Sequence, residues 1–399
     1  MKKPYLPLPL GFLASGVHAG LKSNQKLDMA LFCSQLPAMT VGMITTNKVK
    51  AAPAKHTENA LKSGAKIQAI VVNTKNANAL TGKQGEKDVF QTATLVSSSL
   101  GLPKSSVLVH STGVIGVPLP MSKILGGVRQ AVLRLSRNGG MDAAEAILTT
   151  DTFTKFSARP LWIEGKNAWL TGFAKGSGMI HPNMATMLVY LLTDVAMSRS
   201  LLKEALREAV EPSFHRITVD GDVSTNDSVI LMANGACGNK PLASKGEGYK
   251  QFVKTLKEIC LDLAKAVVRD GEGATKLVSV TVQGAKSDKD AYLAAMAVAK
   301  SPLVKTAIFG ADPNWGRVLA AVGYSGASVD EFKVSVQIGG YQLYNGGKKV
   351  SWSREKLKKI LSAKDVEIVV DLKLGKAKTT VYTCDLTDGY IDINGRYTT

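Results

Sequence analysis

Thr186 stands at the junction between a glycine- and proline-bearing loop, which begins at Lys175, and an apolar run that continues to Leu192. A strained loop at this position would let the Thr186 hydroxyl attack the carbonyl carbon of Ala185. Cleavage of that bond would give Thr186 a free α-amine, so that one residue supplies both a nucleophile and a base. An α-amine has an ordinary pKa of about 7.7–8.0, close to working pH. The alternative interpretation is a threonine that only begins a strand, because β-branched residues favour strands.

A second candidate is the turn from Ser111 to Gly116, directly after a predicted strand at 106–110. A glycine turn at the end of a strand exposes backbone N–H groups. Those donors, together with the hydroxyl of Thr112, could stabilise a developing oxyanion. An ordinary turn is the alternative interpretation.

Other motifs of known chemistry are missing or incomplete. The segment from Asp220 to Asp227 contains three acids and several hydroxyls. Its spacing does not match an EF-hand loop, so we interpret it as a structural turn. The chain has no H-E-x-x-H, C-x-x-C or G-x-S-x-G motif, and residues 270–276 lack the spacing of a phosphate-binding loop. No metal site is therefore predicted, and residues 310–317 are predicted to form a rigid loop with a buried anchor at Trp315.

The chain is strongly basic, because 50 lysines and arginines stand against 32 acids, which gives a net charge of +18. The basic residues are scattered and do not form a tract with aromatic residues. A solvated basic surface is therefore a better interpretation than nucleic-acid binding. Such a surface could also attract small anionic substrates.

Cysteine usage and hydropathy indicate a cytoplasmic protein. The four cysteines, none of which forms a C-x-x-C pair, are Cys33, Cys237, Cys260 and Cys384. Few unpaired cysteines suit a reducing compartment. Prolines at positions 4, 7 and 9 interrupt the apolar stretch near the N-terminus, which argues against a signal peptide. No other stretch is long and apolar enough to span a bilayer, so no membrane partner is expected.

Predicted strands and helices alternate along the chain. Strands are predicted at 66–72, 106–110, 186–192, 227–232 and 278–282, and then at 332–338, 366–372, 379–384 and 390–393. Helices are predicted at 88–99, 121–137, 200–210, 249–268, 289–299 and 353–361, the last as the one short helix in a β-rich C-terminal third. The pattern predicts an α/β or α+β protein with layered helices and sheets.

Eight stretches, in order, resemble the ornithine acetyltransferase family, whose members are often bifunctional with N-acetylglutamate synthase. The stretches are Gly11–Gly20, Thr45–Pro53, Ser111–Gly116, Thr149–Thr152, Lys175–Leu188, Asp270–Lys276, Gly310–Arg317 and Asp392–Asn394. Each is weak alone, but eight in one order over nearly the whole chain are specific. The first two also place the N-terminus within the mature domain.

The resemblance implies a fold in which helices flank central β-sheets, similar to N-terminal-nucleophile hydrolases in architecture but with different connectivity. It implies self-cleavage between Ala185 and Thr186. The products would be an α chain, 1–185, with the oxyanion hole, and a β chain, 186–399, with a β-rich part from about 278. Family members usually assemble as two αβ pairs, so a heterotetramer is expected.

The resemblance also implies the roles of individual residues. Thr186 would be the nucleophile, and Thr112 and Gly113 would form the oxyanion hole. The implied substrate-binding residues are Thr152, Lys175, Thr186, Glu272, Asn394 and Thr399. N-acetylornithine carries an α-carboxylate, which a lysine suits, and a side-chain ammonium, which a glutamate suits.

The implied reaction moves an acetyl group from N-acetylornithine to glutamate through an acetyl-threonine intermediate, in the cyclic acetyl pathway of arginine biosynthesis. No cofactor is expected, because one amide is exchanged for another of similar energy. Whether acetyl-CoA also donates to glutamate is left open. The alternative is a self-processing amidase or aminopeptidase on the same architecture, with water as the acceptor. A non-catalytic nucleic-acid-binding protein is a third hypothesis, and it predicts steeply salt-dependent binding.

Overall fold

The computed structural model describes residues 6–181 and 187–396. Ala185, Thr186 and Thr399, which the sequence analysis assigns to the cleavage site or to substrate binding, lie outside the described residues.

The larger sheet in this part of the chain has eight strands. They are β1 (Phe12–Val17), β2 (Met29–Ile44), β3 (Ile67–Asn73), β4 (Val107–Ser111), β5 (Lys155–Ile163), β6 (Lys166–Lys175), β7 (Leu188–Thr193) and β8 (Ser228–Ala233). Their order is β4-β3-β2-β8-β7-β6-β5, and β1 pairs with β2 off this path. The β3–β4 and β7–β8 pairs are parallel, and the other pairs are antiparallel.

Strand β2 is shared by two halves of this sheet. Its first part pairs with β1 and β3, and its last part, from Met39, pairs with β8. The register with β3 shifts between Cys33 and Ala38, an irregularity of the kind that bends a strand. The two halves share a hydrophobic cluster in which the ring of Phe32 lies 5.0 Å from that of Phe173 and 5.1 Å from that of Tyr190.

Helices cover the other faces of both halves. The helices before the second sheet are α1 (Ala52–Lys62), α2 (Gly82–Leu100), α3 (Met121–Leu133), α4 (Gly140–Ala146), α5 (Arg199–Val210) and α6 (Glu247–Arg269), with short 3-10 turns at Lys104–Ser106 and Phe214–Arg216. Helices α2 and α3 share one hydrophobic cluster with β3 and β4, and α5 and α6 share another with β5 to β8. The predicted α/β architecture, in which helices flank central sheets, is confirmed.

A second sheet of six strands follows in the described residues. Its strands are β9 (Leu277–Ala285), β10 (Ser335–Ile338), β11 (Tyr341–Asn345), β12 (Lys348–Lys349), β13 (Asp365–Asp371) and β14 (Ala377–Cys384), in the order β12-β11-β10-β13-β9-β14. The helices of this part are α7 (Asp288–Lys300), α8 (Pro302–Phe309), α9 (Trp315–Gly323), α10 (Arg354–Leu361) and α11 (Asp388–Arg396). The C-terminal third is therefore richer in helix than predicted.

The predicted strand at 390–393 is wrong, because α11 occupies these residues. The apolar residues around Tyr390 suggested a strand, but Ile391 is 63% exposed. Asp388 in the first turn and an i,i+4 ion pair of 3.2 Å between Arg396 and Asp392 stabilise a helix instead.

The predicted buried anchor at Trp315 also needs correction. Trp315 begins α9 and is only partly buried, with its ring stacked on Tyr344 at 5.0 Å. The side chain of Asn314 caps the helix by accepting a hydrogen bond from the N–H of Arg317 at 3.2 Å.

The predicted boundary at 185/186 falls between β6 and β7, which are antiparallel neighbours in the larger sheet. The two predicted chains would therefore share one sheet. Within the described ranges, no single helix is long and apolar enough to cross a membrane. Helices α7 and α8 meet that length and composition only as a pair bent by 57°.

Candidate functional site

A cavity of about 120 Å³ brings together five of the predicted site residues, namely Thr112, Gly113, Lys175, Glu272 and Asn394. They come from the turn after β4, the end of β6, the segment after α6, and α11. These segments are far apart in sequence, so the cavity is a product of the tertiary fold.

The turn at Thr112 and Gly113 is held rigidly. The Thr112 N–H donates to the carbonyl of Asn73 at 3.0 Å, and the Asn226 side chain donates to the carbonyl of Ser111 at 2.8 Å. Gly113 has a φ of 130°, and a Cβ here would collide with the backbone of Lys75, so only glycine fits. Among the residues that the structure describes, no acceptor is found for the Gly113 N–H. That N–H and the Thr112 hydroxyl are therefore suited to stabilise an oxyanion in the cavity.

Lys175 is the buried cation of the cavity, with 3% of its side chain exposed. Its Nζ donates to Thr112 Oγ1 at 3.4 Å and lies 4.0 Å from Asp151 Oδ2. Burial lowers the pKa of Lys175, and the negative charge of Asp151 opposes this effect. Because the Thr112 oxygen accepts from Lys175, its own proton is available for another acceptor.

Glu272 supplies a carboxylate to the same cavity. The Asn394 side chain donates to Glu272 Oε2 at 2.9 Å, and the Glu272 N–H donates to the carbonyl of Ser177 at 3.0 Å. A Cβ at Gly178 would collide with this carboxylate, so a glycine lets the loop after β6 close over it. Asn394 reaches Glu272 because residues 388–396 form a helix, which the sequence analysis did not predict.

Thr152 is not part of this cavity. It lines a larger one of about 480 Å³, which adjoins the first and shares Gly113, Thr149 and Thr150 with it. The hydroxyl of Thr152 donates to Asp270 Oδ1, and its N–H lies 3.0 Å from Asp270 Oδ2. The hydroxyl proton of Thr152 is therefore used in a hydrogen bond to Asp270 and is not directed at the smaller cavity.

A buried ionic cluster next to the cavity was missed by the sequence analysis. Lys155, whose side chain is fully buried, lies 2.7 Å from Asp151 Oδ1 and 2.5 Å from Asp270 Oδ2. Asp151 also accepts from the Gly176 N–H at 2.7 Å. The two lysines, Lys155 and Lys175, hold the pKa of Asp151 below its usual range against the effect of burial. Asp151 lies within the motif Thr149–Thr152, but a local motif does not show that its carboxylate meets Lys155.

The acidic segment after Val219 also contributes to the site. Ser224, Thr225 and Asn226 line the smaller cavity. Within residues 6–181 and 187–396, no group of three or more His, Cys, Asp or Glu residues is placed to hold a metal ion.

The fold and the site define a layered α/β protein in which the rigid turn at Thr112 and Gly113 shares a cavity with Lys175 and Glu272. The ArgJ family model matches residues 13–399. The arginine biosynthesis bifunctional protein ArgJ of Symbiobacterium thermophilum is 48% identical over 393 residues, 98% of each chain. That of Geobacter sulfurreducens is 48% identical over 390 residues, 98% of this chain and 99% of its own. The chain therefore belongs to the ArgJ family, and the resemblance inferred from eight motifs is confirmed.

A solved structure agrees with this assignment. The crystal structure of the arginine biosynthesis bifunctional protein argJ from Bacillus halodurans is 41% identical, with a TM-score of 0.51. The match covers 98% of that chain but 52% of this one.

Replacement of Lys155 by methionine is expected to destabilise the protein strongly. The change keeps most of the side-chain volume but leaves Asp151 and Asp270 buried without their cation, a loss of about 3–5 kcal/mol. Thermal unfolding under matched conditions measures it. Lys166→Met, at an exposed position of β6, is the control and should change stability by less than about 0.5 kcal/mol. Equal melting temperatures for the two variants would contradict a stabilising role for Lys155.

Proposed function

We propose that this chain is a glutamate N-acetyltransferase of arginine biosynthesis, which moves the acetyl group of N-acetylornithine to glutamate. The names of the relatives support the arginine biosynthesis assignment. The observation that carries the choice of substrate is the cavity that buried Lys175 shares with Glu272, next to Thr112 and Gly113. Lys175 suits the α-carboxylate of N-acetylornithine, and Glu272 suits its side-chain ammonium. The reaction needs no cofactor, because the amide broken and the amide formed have similar energies.

The active enzyme forms by self-cleavage. The Thr186 Oγ attacks the carbonyl carbon of Ala185, the C–N bond breaks, and the hydroxyl proton ends on the released nitrogen. Water then hydrolyses the resulting ester, which leaves a carboxylate on Ala185 and a free amine and hydroxyl on Thr186. Each product would be about half of the chain, and the Bacillus halodurans chain, which matches about half of this one, supports the division.

In the first half-reaction, the Thr186 α-amine takes the hydroxyl proton as Oγ attacks the acetyl carbon. The oxyanion that forms accepts hydrogen bonds from the Gly113 N–H and the Thr112 hydroxyl. Collapse of the intermediate breaks the C–N bond of N-acetylornithine, and the proton passes to the departing ornithine amine. The enzyme then carries an acetyl ester on Thr186.

In the second half-reaction, the amine of glutamate attacks this ester. A C–N bond forms, the C–Oγ bond breaks, and Thr186 recovers its hydroxyl proton, as in a ping-pong scheme. The ester must be protected from water, because hydrolysis would release free acetate in place of N-acetylglutamate.

Acetyl-CoA is proposed as a second donor to glutamate. The adjoining cavity of about 480 Å³ reaches Gly113, and its lining contains three lysines, Lys22, Lys26 and Lys75, and two acids, Glu145 and Asp151. Its size and its three lysines support entry of a long, phosphate-bearing donor. Formation of N-acetylglutamate from acetyl-CoA and glutamate alone would test this second activity.

Two further expectations follow from the family. Cleaved protein is proposed to assemble as two αβ pairs, which native mass measurement would test. A cytoplasmic location is also proposed, and the four unpaired cysteines support a reducing compartment.

Thr186→Ala is expected to give a single uncut chain with no acetyl transfer, because the variant lacks the attacking oxygen. Intact-mass analysis reports the cut, and N-acetylglutamate formation from N-acetylornithine and glutamate reports the activity. Thr186→Ser, which keeps a hydroxyl, is the control and should still be cut. Full activity of an uncut Thr186→Ala chain would rule out this nucleophile. Release of free acetate in place of N-acetylglutamate by the wild type would favour the amidase alternative.

Glu272→Gln is expected to raise the KM for N-acetylornithine by about 10- to 100-fold, because the substrate ammonium loses a charged partner. Steady-state kinetics with N-acetylornithine varied at saturating glutamate measure the change. Glu258→Gln, on the part of α6 that faces solvent, is the control and should behave as the wild type. An unchanged KM for Glu272→Gln would remove Glu272 from the substrate site.

A further inference from the structure

The connection between β6 and β7 is unusually long for two paired strands. The connection consists of residues 176–187. Its two ends lie side by side, because Lys175 and Leu188 are direct partners in the antiparallel register. About two to five residues are enough to join such strands. The bond between residues 185 and 186 lies within this connection.

Asp220 holds the outgoing arm of the connection. Its Oδ2 accepts a hydrogen bond from the Met179 N–H at 2.6 Å, and its Oδ1 accepts one from the Ile180 N–H at 2.9 Å. Met179 has a φ of +57°, in the left-handed region that a non-glycine residue adopts only when its surroundings impose it. Ile180 is fully buried, and its carbonyl accepts from the Val219 N–H at 2.8 Å.

Asp227 holds the returning arm. Its Oδ1 accepts a hydrogen bond from the Met187 N–H at 3.0 Å, and the Met187 carbonyl accepts from the Ser228 N–H at 3.1 Å. Met187 is fully buried in the same hydrophobic cluster as Ile180. The Met187 amide nitrogen is bonded to the carbonyl carbon of residue 186. This hydrogen bond therefore fixes the residue that directly follows the proposed nucleophile.

We infer that the segment Asp220–Asp227 is a clamp for the scissile loop, in which Asp220 and Asp227 fix the backbone on either side of the 185–186 bond. The inference rests on the self-cleavage proposed above and gives a role to a segment that looked like a structural turn. Asp220 and Asp227 act as positioning residues, since each acts through backbone amides.

The clamp has two separate consequences. Because the backbone is fixed at Ile180 and at Met187, on either side of the bond, we expect the attack of residue 186 on the preceding carbonyl to require less ordering of the chain. After cleavage, Asp220 would hold the end of the α chain and accept from the Tyr390 hydroxyl of α11 at 3.5 Å, whereas Asp227 would still hold the residue next to the nucleophile. The main effect of Asp220 is therefore on cleavage, and Asp227 affects cleavage and acetyl transfer alike.

The hydrogen-bond geometry predicts opposite effects of asparagine at the two positions. Asp220 uses both oxygens as acceptors, so in Asp220→Asn the amide NH₂ must face a backbone N–H. Asp227 accepts from the Met187 N–H through Oδ1, and its buried Oδ2 has no hydrogen-bond partner among the described residues. An asparagine can therefore place its carbonyl at the position of Oδ1 without turning its NH₂ toward the Met187 N–H.

The experiment compares full-length variants for rate of cleavage and for turnover per cut chain. Cell-free translation with intact-mass analysis gives the half-time of cleavage, and kcat is normalised to the cut fraction. Asp220→Asn is expected to be cut at least about tenfold more slowly, and its kcat once cut is expected to fall by less than that of Asp227→Ala. Asp227→Ala is expected to be slow in both steps, and Asp227→Asn to stay close to wild type. Asp222→Asn, an exposed carboxylate of the same segment, is the matched control.

Melting temperatures show whether each variant is folded. Should Asp220→Asn fail to fold, Asp220→Glu, which keeps two acceptor oxygens, is expected to be cut faster than Asp220→Ala. Folded Asp220→Asn and Asp227→Ala chains that are cut as fast as Asp222→Asn would overturn the clamp. Asp227→Asn as slow as Asp227→Ala would also overturn it. A wild-type chain that stays whole but active would instead refute the proposed self-cleavage.

Discussion

The fully buried ammonium of Lys155 is the contact on which the arrangement of the site depends. Removing a lysine and two carboxylates from water is costly, and only close, well-directed contacts offset that cost. Lys155 meets Asp151 and Asp270 at 2.7 and 2.5 Å, so both carboxylates are fixed in place. They in turn hold the N–H groups of Gly176 and Thr152. One cation therefore sets the relative positions of three segments around the cavity.

Burial pushes two charged groups of the site toward their neutral forms. The pKa of Lys175 is lowered and that of Asp227 is raised, in both cases mainly because burial disfavours the charged state. In surroundings of such low polarity, a fixed backbone donor such as the Gly113 N–H would act strongly on negative charge that develops beside it.

Local patterns predicted the layered architecture, and family motifs identified five of the residues that line the smaller cavity. Asparagine is a common N-cap residue, so Asn314 is a local signal for the start of α9, in the segment that was predicted to be a loop. Tyr390 and Ile391 look like strand residues, but the local pair Asp392–Arg396 favours a helix, and α11 also contacts distant segments through Asn394. Lys155 gave no local sign of burial, because its two partners are an aspartate four residues away and one at the end of α6. A local pattern shows which face of an element is apolar, but it does not show which distant segments meet.

The pairing of β6 with β7 has a consequence for the lifetime of the enzyme under the proposed self-cleavage. In the uncut chain these strands are joined covalently, and the chain itself keeps their ends together, which lowers the entropy cost of pairing. After the proposed cut the same strands would belong to separate chains, and pairing them again would require a concentration-dependent encounter. Once melted, processed enzyme would not refold efficiently. Its durability would then be governed by how slowly it unfolds, and not by an equilibrium between folded and unfolded states.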